Sequence, residues 1–165
     1  MGLFDFFKTK ESETAFPEVL GAPAPGRFVA MEELPDQVFS TGTLGVCCGI
    51  DPEEGRVYAP ADGRITQLTD TLHAVGIEAG GVDILIHVGV DTVEMNGDGF
   101  SNAVREGQQV KKGDLLLTMD LGKIRAAGHP ATVIMAVTNT DDLSAITPVG
   151  AGRLQPGDAV LSLRK

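Results

Sequence analysis

The sequence contains 165 residues, of which 42% are hydrophobic, and its formal net charge is −10 at pH 7. This length suits one compact domain with a short appendage, and the apolar fraction excludes a chain that is disordered for most of its length. The negative charge disfavours a nucleic-acid partner, whose phosphates would be repelled, and favours a basic protein surface instead.

The first 20 residues are predicted to form a flexible tail, and residues 21–165 the folded domain. The opening MGLFDFFKTK lacks the charged start and the apolar stretch of a signal peptide. Its leucine and three phenylalanines suit the apolar side of a short helix, which predicts a weak amphipathic contact with a membrane surface. A tail that docks on its own domain is the alternative. No run of about 18 apolar residues is present to span a membrane, and KTKESETAFPEVLG (8–21) has the composition of a polar linker.

From residue 22 onward, short β-prone runs are separated by Gly, Pro, Asp and Asn. The predicted strands are 26–30, 44–50, 56–58, 63–68, 74–78, 82–88, 114–120, 132–137 and 159–163. Only GFSNAVREG (99–107) and DLGKIRAAG (120–128) favour short helical turns. The sequence therefore predicts an all-β fold, an antiparallel β-sandwich or flattened barrel.

Two segments of the sequence occur twice in similar form. APAPGR (22–27) is similar to APADGR (59–64), and VKKGDLLLTM (110–119) is similar to LQPGDAVLSL (154–163). In the second pair a Gly-Asp turn leads into an apolar run. These repeats predict a domain with two related halves.

The two cysteines, Cys47 and Cys48, are adjacent in the sequence. Neighbouring residues in a strand point to opposite faces, so the pair does not predict a disulfide. We expect two buried thiols in a reduced, cytoplasmic setting, in preference to a catalytic thiol.

Two of the three histidines lie in one predicted hairpin. In ILIHVGVD (84–91), the isoleucines and valines alternate with a row that contains His87. HAVGIEAGGVDILIH (73–87) contains two strand-like runs around AGG. A three-residue loop at 79–81 would place His73 opposite His87, whereas a two-residue loop would place His73 opposite Val88. Facing imidazoles suit metal binding or nucleophilic catalysis, and an unremarkable surface pair is the third interpretation.

At this point the motifs resemble a known family. HVGVDTVEMNGDGF (87–100), with TLHAVGIE (71–78) before it, is similar to the active-site region of the glucose-family enzyme IIA of the bacterial phosphoenolpyruvate-dependent sugar phosphotransferase system. The resemblance continues through PDQVF (35–39), APADGRI (59–65) and EGQQVKKGD (106–114), and MGLFD is like the start of stand-alone members. Thr69, Leu72 and Val88 depart from the family pattern.

The resemblance implies a phosphoryl carrier with a β-sandwich fold. His87 would accept the phosphoryl group from phospho-HPr and pass it to a cysteine on the IIB domain of a sugar permease. His73 would bind the phosphoryl group beside it, and Thr71 would hydrogen-bond near the pair. The reduced thiols and the amphipathic tail predict a cytoplasmic protein that touches the inner face of the membrane. The resemblance further implies that regulatory partners bind through the same patch. It does not identify the sugar.

Apolar residues predicted near the pair, Val38, Phe39, Leu85 and Val93, would exclude water and protect the phosphohistidine from hydrolysis. No cofactor is expected, and no phosphate-binding Gly-rich loop is present.

A zinc peptidase of a related β fold is the main alternative, because His87-Val88-Gly89-Val90-Asp91 fits a His-x-Gly-x-Asp pattern. Such an enzyme needs a further His-x-His pair, which the sequence lacks. A purely regulatory binding module is a second interpretation, and zinc held jointly with a partner protein is a third. A lipoyl- or biotin-carrying domain lacks its lysine here. His129, in AGHPATV, is expected to be a solvated loop residue.

Overall fold

The computed structural model describes residues 14–165, and most of that range is β-strand or turn. Its strands are β1 (Val19–Gly21), β2 (Gly26–Val29), β3 (Val46–Pro52), β4 (Arg56–Tyr58), β5 (Gly63–Leu68), β6 (Ala74–Ala79), β7 (Val82–Val88), β8 (Phe100–Asn102), β9 (Gln109–Val110), β10 (Leu115–Met119), β11 (Val133–Val137), β12 (Ala145–Pro148), β13 (Arg153–Leu154) and β14 (Ala159–Arg164). Its α-helices are α1 (Gln37–Ser40) and α2 (Leu121–Ala126), and 3-10 turns lie at Met31–Glu33, Thr92–Met95 and Thr140–Asp142.

The strands pair antiparallel throughout the described residues. A large sheet has the order β13-β2-β3-β11-β7-β6-β5-β9, and two three-stranded sheets have the orders β1-β14-β12 and β4-β10-β8. The sheets are open at their edges, so the predicted all-β fold takes its sandwich form. None of the helices in residues 14–165 is long and apolar enough to cross a membrane.

The apolar residues form two clusters on opposite faces of the large sheet. The main cluster fills the space between the sheets, and its fully buried members include Leu20, Ile50, Ile86 and Met135. A smaller cluster lies on the outer face and contains Leu34, Phe39, Cys47, Ile134 and Ala136. The alternation of a β-strand explains the division, because successive side chains point to opposite faces.

This division accounts for the adjacent cysteines. Cys48 belongs to the main cluster and Cys47 to the outer one, and both are buried free thiols, as expected. Burial raises the pKa of Cys47 to about 11 and that of Cys48 to about 12. Such thiols are poor nucleophiles near neutral pH.

The two related halves are confirmed by their turns. Asp114 and Asp158 each accept a hydrogen bond at Oδ2 from the backbone three residues earlier, at Lys111 and Gln155, over 2.8 Å in both cases. Gly113 and Gly157 adopt φ of 93° and 90° at the same position of the two turns. The repeated sequences therefore encode the same local structure.

The halves also hold each other by reciprocal hydrogen bonds. Gly21 N donates to Pro60 O over 2.9 Å, and Tyr58 N donates to Pro23 O over 2.7 Å. Pro23 and Pro60 are each the second residue of APAPGR and APADGR, and the donors Gly21 and Tyr58 each directly precede these segments. The repeated segments are thus joined to each other by a matching pair of hydrogen bonds.

Several strands differ from the prediction. The predicted helical turn GFSNAVREG is wrong, since Phe100–Asn102 pairs with residues 117–119 of β10. Val19–Gly21, which the sequence places in the tail and linker, pairs with β14, and Leu20 is fully buried. The folded domain therefore begins before residue 21. The predicted membrane-contacting segment lies outside the described residues.

Candidate functional site

His87 is the next-to-last residue of β7. Ile84, Ile86 and Val88 are buried between the sheets, whereas Leu85 and His87 are half-buried on the outer face. His87 lies opposite Ile134 on one neighbouring strand and Ala74 on the other. The alternation predicted from the sequence is confirmed, and it presents the imidazole on the outer face.

The residues after β7 fix the protonation of this ring. Gly89 has φ of 78°, and its N–H donates to Thr132 O over 2.8 Å. The carbonyl of Gly89 lies 2.8 Å from His87 Nδ1. A carbonyl can only accept, so Nδ1 carries the proton and Nε2 keeps a lone pair. Gly89 is needed for this left-handed turn, because glycine adopts such a φ without steric cost.

The ring of His73 lies beside that of His87, with centroids 4.9 Å apart and planes at 82°. The predicted register is nevertheless wrong. Ala79 pairs with Val82, so the loop has two residues, and Val88 N donates to His73 O over 2.7 Å. His73 comes just before β6 begins, so the alternation of the strand does not constrain its side chain.

A turn before β6 sets the orientation of His73. Thr71 Oγ1 lies 2.7 Å from His73 Nδ1, as the resemblance implied. Thr69 closes the turn, since its carbonyl accepts from Leu72 N and its hydroxyl oxygen accepts from Ala74 N. Leu72 adopts a left-handed φ of 63°. Burial lowers the pKa of His73, while a hydrogen bond to the backbone of Thr71 opposes that effect.

The pKa of His87 is also lowered, first by burial and then by the neighbouring His73. The hydrogen bond to Gly89 and the carboxylates of Asp36 and Asp91 act in the opposite direction. Because both imidazoles have a pKa below the ordinary value, both are neutral near pH 7. A neutral ring supplies the lone pair that a nucleophile needs.

An apolar wall lies against the pair. The ring of Phe39 is centred 5.1 Å from that of His87, and Phe39 is itself buried. It belongs to α1, whose first turn is capped by Asp36, with Val38 N donating to Oδ1 over 2.8 Å. Val38 and Val93 are about half exposed nearby in the sequence. The imidazole of His87 is therefore partly desolvated and packed against a buried aromatic ring.

His129 is placed differently from the prediction. It is largely buried, with a side chain 14% exposed, and its Nε2 lies 3.7 Å from Glu94 Oε2. The expectation of a solvated loop residue is wrong, because the turn after α2 packs against the segment that follows β7. The adjacent Pro130 accepts a hydrogen bond from Val90 N over 3.1 Å.

The peptidase alternative finds no support in the structure. Within residues 14–165, no three His, Cys, Asp or Glu side chains cluster so as to hold a metal ion. The histidine pair by itself supplies two nitrogens, whereas a catalytic zinc takes three protein ligands. What the described site does present is a neutral imidazole with a second imidazole beside it.

Comparisons with known proteins agree on one family. The family model for the phosphoenolpyruvate-dependent sugar phosphotransferase system, EIIA 1, matches residues 18–143. The PTS system glucose-specific EIIA component of Bacillus cereus is 43% identical over 148 residues, which are 88% of this chain and 90% of that protein. The PTS system beta-glucoside-specific EIIBCA component of Bacillus subtilis is 41% identical over 147 residues, and the chain spans 24% of the length of that relative. The solved glucose permease IIA from Mycoplasma capricolum superposes with a TM-score of 0.78 at 32% identity, covering 87% of this chain and 93% of that chain.

Proposed function

The chain belongs to the EIIA 1 family of the phosphoenolpyruvate-dependent sugar phosphotransferase system, and we propose that it carries the phosphoryl group on His87 Nε2. It is a phosphoryl carrier of that system and thus a phosphotransferase component. The observation that supports His87 is the contact of two imidazoles, 4.9 Å apart, with Nδ1 of His87 bonded to Gly89. That bond leaves Nε2 available for attack.

The first step transfers the group from HPr. The lone pair of His87 Nε2 attacks the phosphorus of phospho-HPr in line, and the bond from phosphorus to the donor nitrogen breaks, with its electron pair returning to that nitrogen. Burial that keeps His87 neutral favours this attack. In the second step the phosphoryl group passes to a cysteine thiolate of a IIB domain, so that an S–P bond forms as the N–P bond breaks.

His73 complements His87 through the opposite tautomer. If the hydroxyl of Thr71 donates to His73 Nδ1, the proton of His73 is on Nε2. That N–H can donate to a phosphoryl oxygen and stabilise the charge that develops during transfer. The two rings would then present one lone pair and one proton to the same phosphoryl group.

We propose that the protein partners bind at the face of the domain that carries His87. Val38 and Val93 would form part of the rim on which HPr and a IIB domain dock in turn, together with any regulatory partner. Glucose is the first sugar to test, because the chain matches a glucose-specific relative over most of the length of both. We place the carrier at the cytoplasmic side of a sugar permease.

Phosphorylation tests the assignment of His87. Enzyme I, HPr and phosphoenolpyruvate are expected to give the wild type an acid-labile, base-stable label, and His87→Gln should give none. His129→Gln is the matched control, because that histidine is 3.7 Å from Glu94 and is not part of the pair. Full labelling of His87→Gln would overturn the proposal, and transfer to a panel of IIB domains would identify the permease.

A further inference from the structure

Thr92 is buried completely next to the nucleophile, yet neither the resemblance nor the contacts of the two histidines gives it a role. It begins the 3-10 turn that follows β7. Its hydroxyl donates to the carbonyl of Val88, the residue between His87 and Gly89. A buried hydroxyl is costly unless it is hydrogen-bonded, so this contact is a fixed part of the loop.

The methyl group of Thr92 makes a second contact with the same loop. A Cβ atom added to Gly89 would collide with that methyl group and would lie 2.9 Å from Pro130 O. Thr92 therefore fills the space that a side chain at position 89 would need. Its hydroxyl and methyl groups confine the two peptide units that follow His87.

Those two peptide units are held at further points. In the first unit, between Val88 and Gly89, the Val88 carbonyl accepts from Thr92, and Gly89 N donates to Thr132 O over 2.8 Å. In the second unit, between Gly89 and Val90, the Gly89 carbonyl accepts from His87 Nδ1, and Val90 N donates to Pro130 O. The direction of the Gly89 carbonyl depends on the rotation between these units.

We propose that Thr92 is a positioning residue for phosphoryl transfer, which aims the Gly89 carbonyl at His87 Nδ1 and so keeps Nε2 unprotonated. The proposal rests on His87 being the phosphoryl acceptor. A tautomer with its proton on Nε2 has no lone pair there and cannot attack phosphorus. Thr92 would thus set the fraction of molecules that are competent to react, without touching the phosphoryl group.

The two histidines would then each depend on a threonine, in different ways. Thr71 bonds His73 Nδ1 directly over 2.7 Å, whereas Thr92 acts on His87 through the backbone, from the Val88 carbonyl that it bonds to the Gly89 carbonyl that contacts Nδ1. A hydroxyl can donate or accept, but a carbonyl only accepts. The indirect arrangement therefore permits a single tautomer of His87.

The test is Thr92→Val, which keeps a methyl group and removes the hydroxyl. Imidazole nitrogen-15 chemical shifts report the tautomer in the unphosphorylated protein, and wild-type His87 should show its proton on Nδ1. In Thr92→Val we expect a mixture, and a labelling rate by phospho-HPr that falls about tenfold with KM changed by less than about twofold, because the rate follows the competent fraction. Thr92→Ser, which keeps the hydroxyl, should restore both readouts.

Thr138→Val is the matched control. Thr138 Oγ1 also bonds a carbonyl of β7, that of Asp83, over 3.4 Å at the far end of the strand. This variant should keep the wild-type tautomer and rate. If Thr92→Val does not fold, Thr92→Ser and Thr92→Ala are compared in its place, and the hydroxyl should again decide the tautomer.

The outcomes separate this proposal from the one on which it rests. An unchanged Nδ1 proton in every Thr92 variant would overturn the role of Thr92, whatever the labelling rates. Labelling of His87→Gln would instead overturn the choice of acceptor and leave the tautomer measurement valid. A raised KM with an unchanged maximal rate would also contradict positioning, since it would indicate a role in docking.

Discussion

The two ends of the β6–β7 hairpin are closed by different means. At one end Gly80 and Gly81 make a two-residue loop with φ of 56° and 94°, and the strands pair in continuous register from Ala79 and Val82 to Ala74 and His87. Glycine adopts these angles without steric cost. At this end the backbone closes in the usual manner of a tight hairpin.

The other end carries the histidines and closes at a cost. Leu72, Asp91 and Asn96 have φ of 63°, 60° and 52°, and they are the non-glycine residues with positive φ in the described part of the chain. Such conformations cost about 1–3 kcal/mol each and persist where the surroundings enforce them. Leu72 directly precedes His73, and Asp91 lies in the loop that follows His87, so this strain is found at the end of the hairpin that carries the two rings. Stability is given up there to place two rings where regular strand pairing would not bring them together.

The largest expected effect comes from removing the partner ring. His73→Gln should still accept the phosphoryl group from HPr, because His87 is intact, but its transfer to a IIB domain should fall by about 10²–10³-fold, the usual loss when one preorganised donor is removed. Single-turnover transfer from the labelled variant measures this rate. Undiminished transfer would show that the turn before β6 serves only to close the strand.

A pair of alanine substitutions compares the two ends directly. In Gly89→Ala the new Cβ would lie 2.9 Å from Pro130 O, and we expect labelling to fall about 10²-fold because His87 is displaced. In Gly81→Ala nothing lies within 4 Å of the new Cβ, so the left-handed φ alone should cost about 1 kcal/mol of unfolding free energy. Labelling rates and urea unfolding report the two effects. If Gly81→Ala lost as much labelling activity as Gly89→Ala, the two ends of the hairpin would not differ in their importance for phosphoryl transfer.

Strain at Asp91 can be separated from its charge. Asp91→Gly should raise the unfolding free energy by about 1 kcal/mol, since glycine accepts the left-handed φ, and should slow labelling about threefold as the loop loosens. Asp91→Asn keeps a residue that tolerates this conformation and removes only the carboxylate. If the asparagine variant gains as much stability as the glycine variant, charge repulsion and not strain is the cause.

The smallest effect is a dependence of stability on pH at the histidine end. His73 and His87 have folded pKa values below the ordinary value, so the unfolded chain binds more protons as the pH falls through about 6.5. The unfolding free energy should therefore decrease from that pH down to the folded pKa values and then level off. Urea unfolding at a series of pH values should give a shallower decrease for His87→Gln and a parallel one for Gly81→Ala.

The sequence predicted the strand with His87 better than the hairpin that contains it. The alternation of Ile84, Ile86 and Val88 with His87 defined β7, because one face is buried against the second sheet. The segment AGG, by contrast, is compatible with loops of two or three residues, and composition does not decide between them. The predicted contact of the rings was confirmed although the predicted register was wrong, because His73 lies outside β6.

Features fixed by distant contacts escaped prediction. The segment with Phe100 has the composition of a helical turn, yet pairing with Met119 extends it. His129 lies in a stretch typical of a solvated loop, yet its side chain packs beside Glu94, 35 positions earlier in the chain. Short edge strands such as β9 and β13, two residues each, have no periodicity from which to be recognised. The repeats, in contrast, are recognisable because each encodes its own turn.

The pairing of β1 with β14 has a consequence for how this domain can be joined to others. Leu163 N donates to Glu18 O over 2.8 Å, so the backbone enters and leaves the fold side by side. The N-terminal segment passes close to the β6–β7 loop, because a Cβ added to Gly80 would collide with the backbone of Ala15. That loop is roughly 20 Å from His87 along β7, at about 3.3 Å per residue. A further domain joined at this single point would leave the face with His87 uncovered.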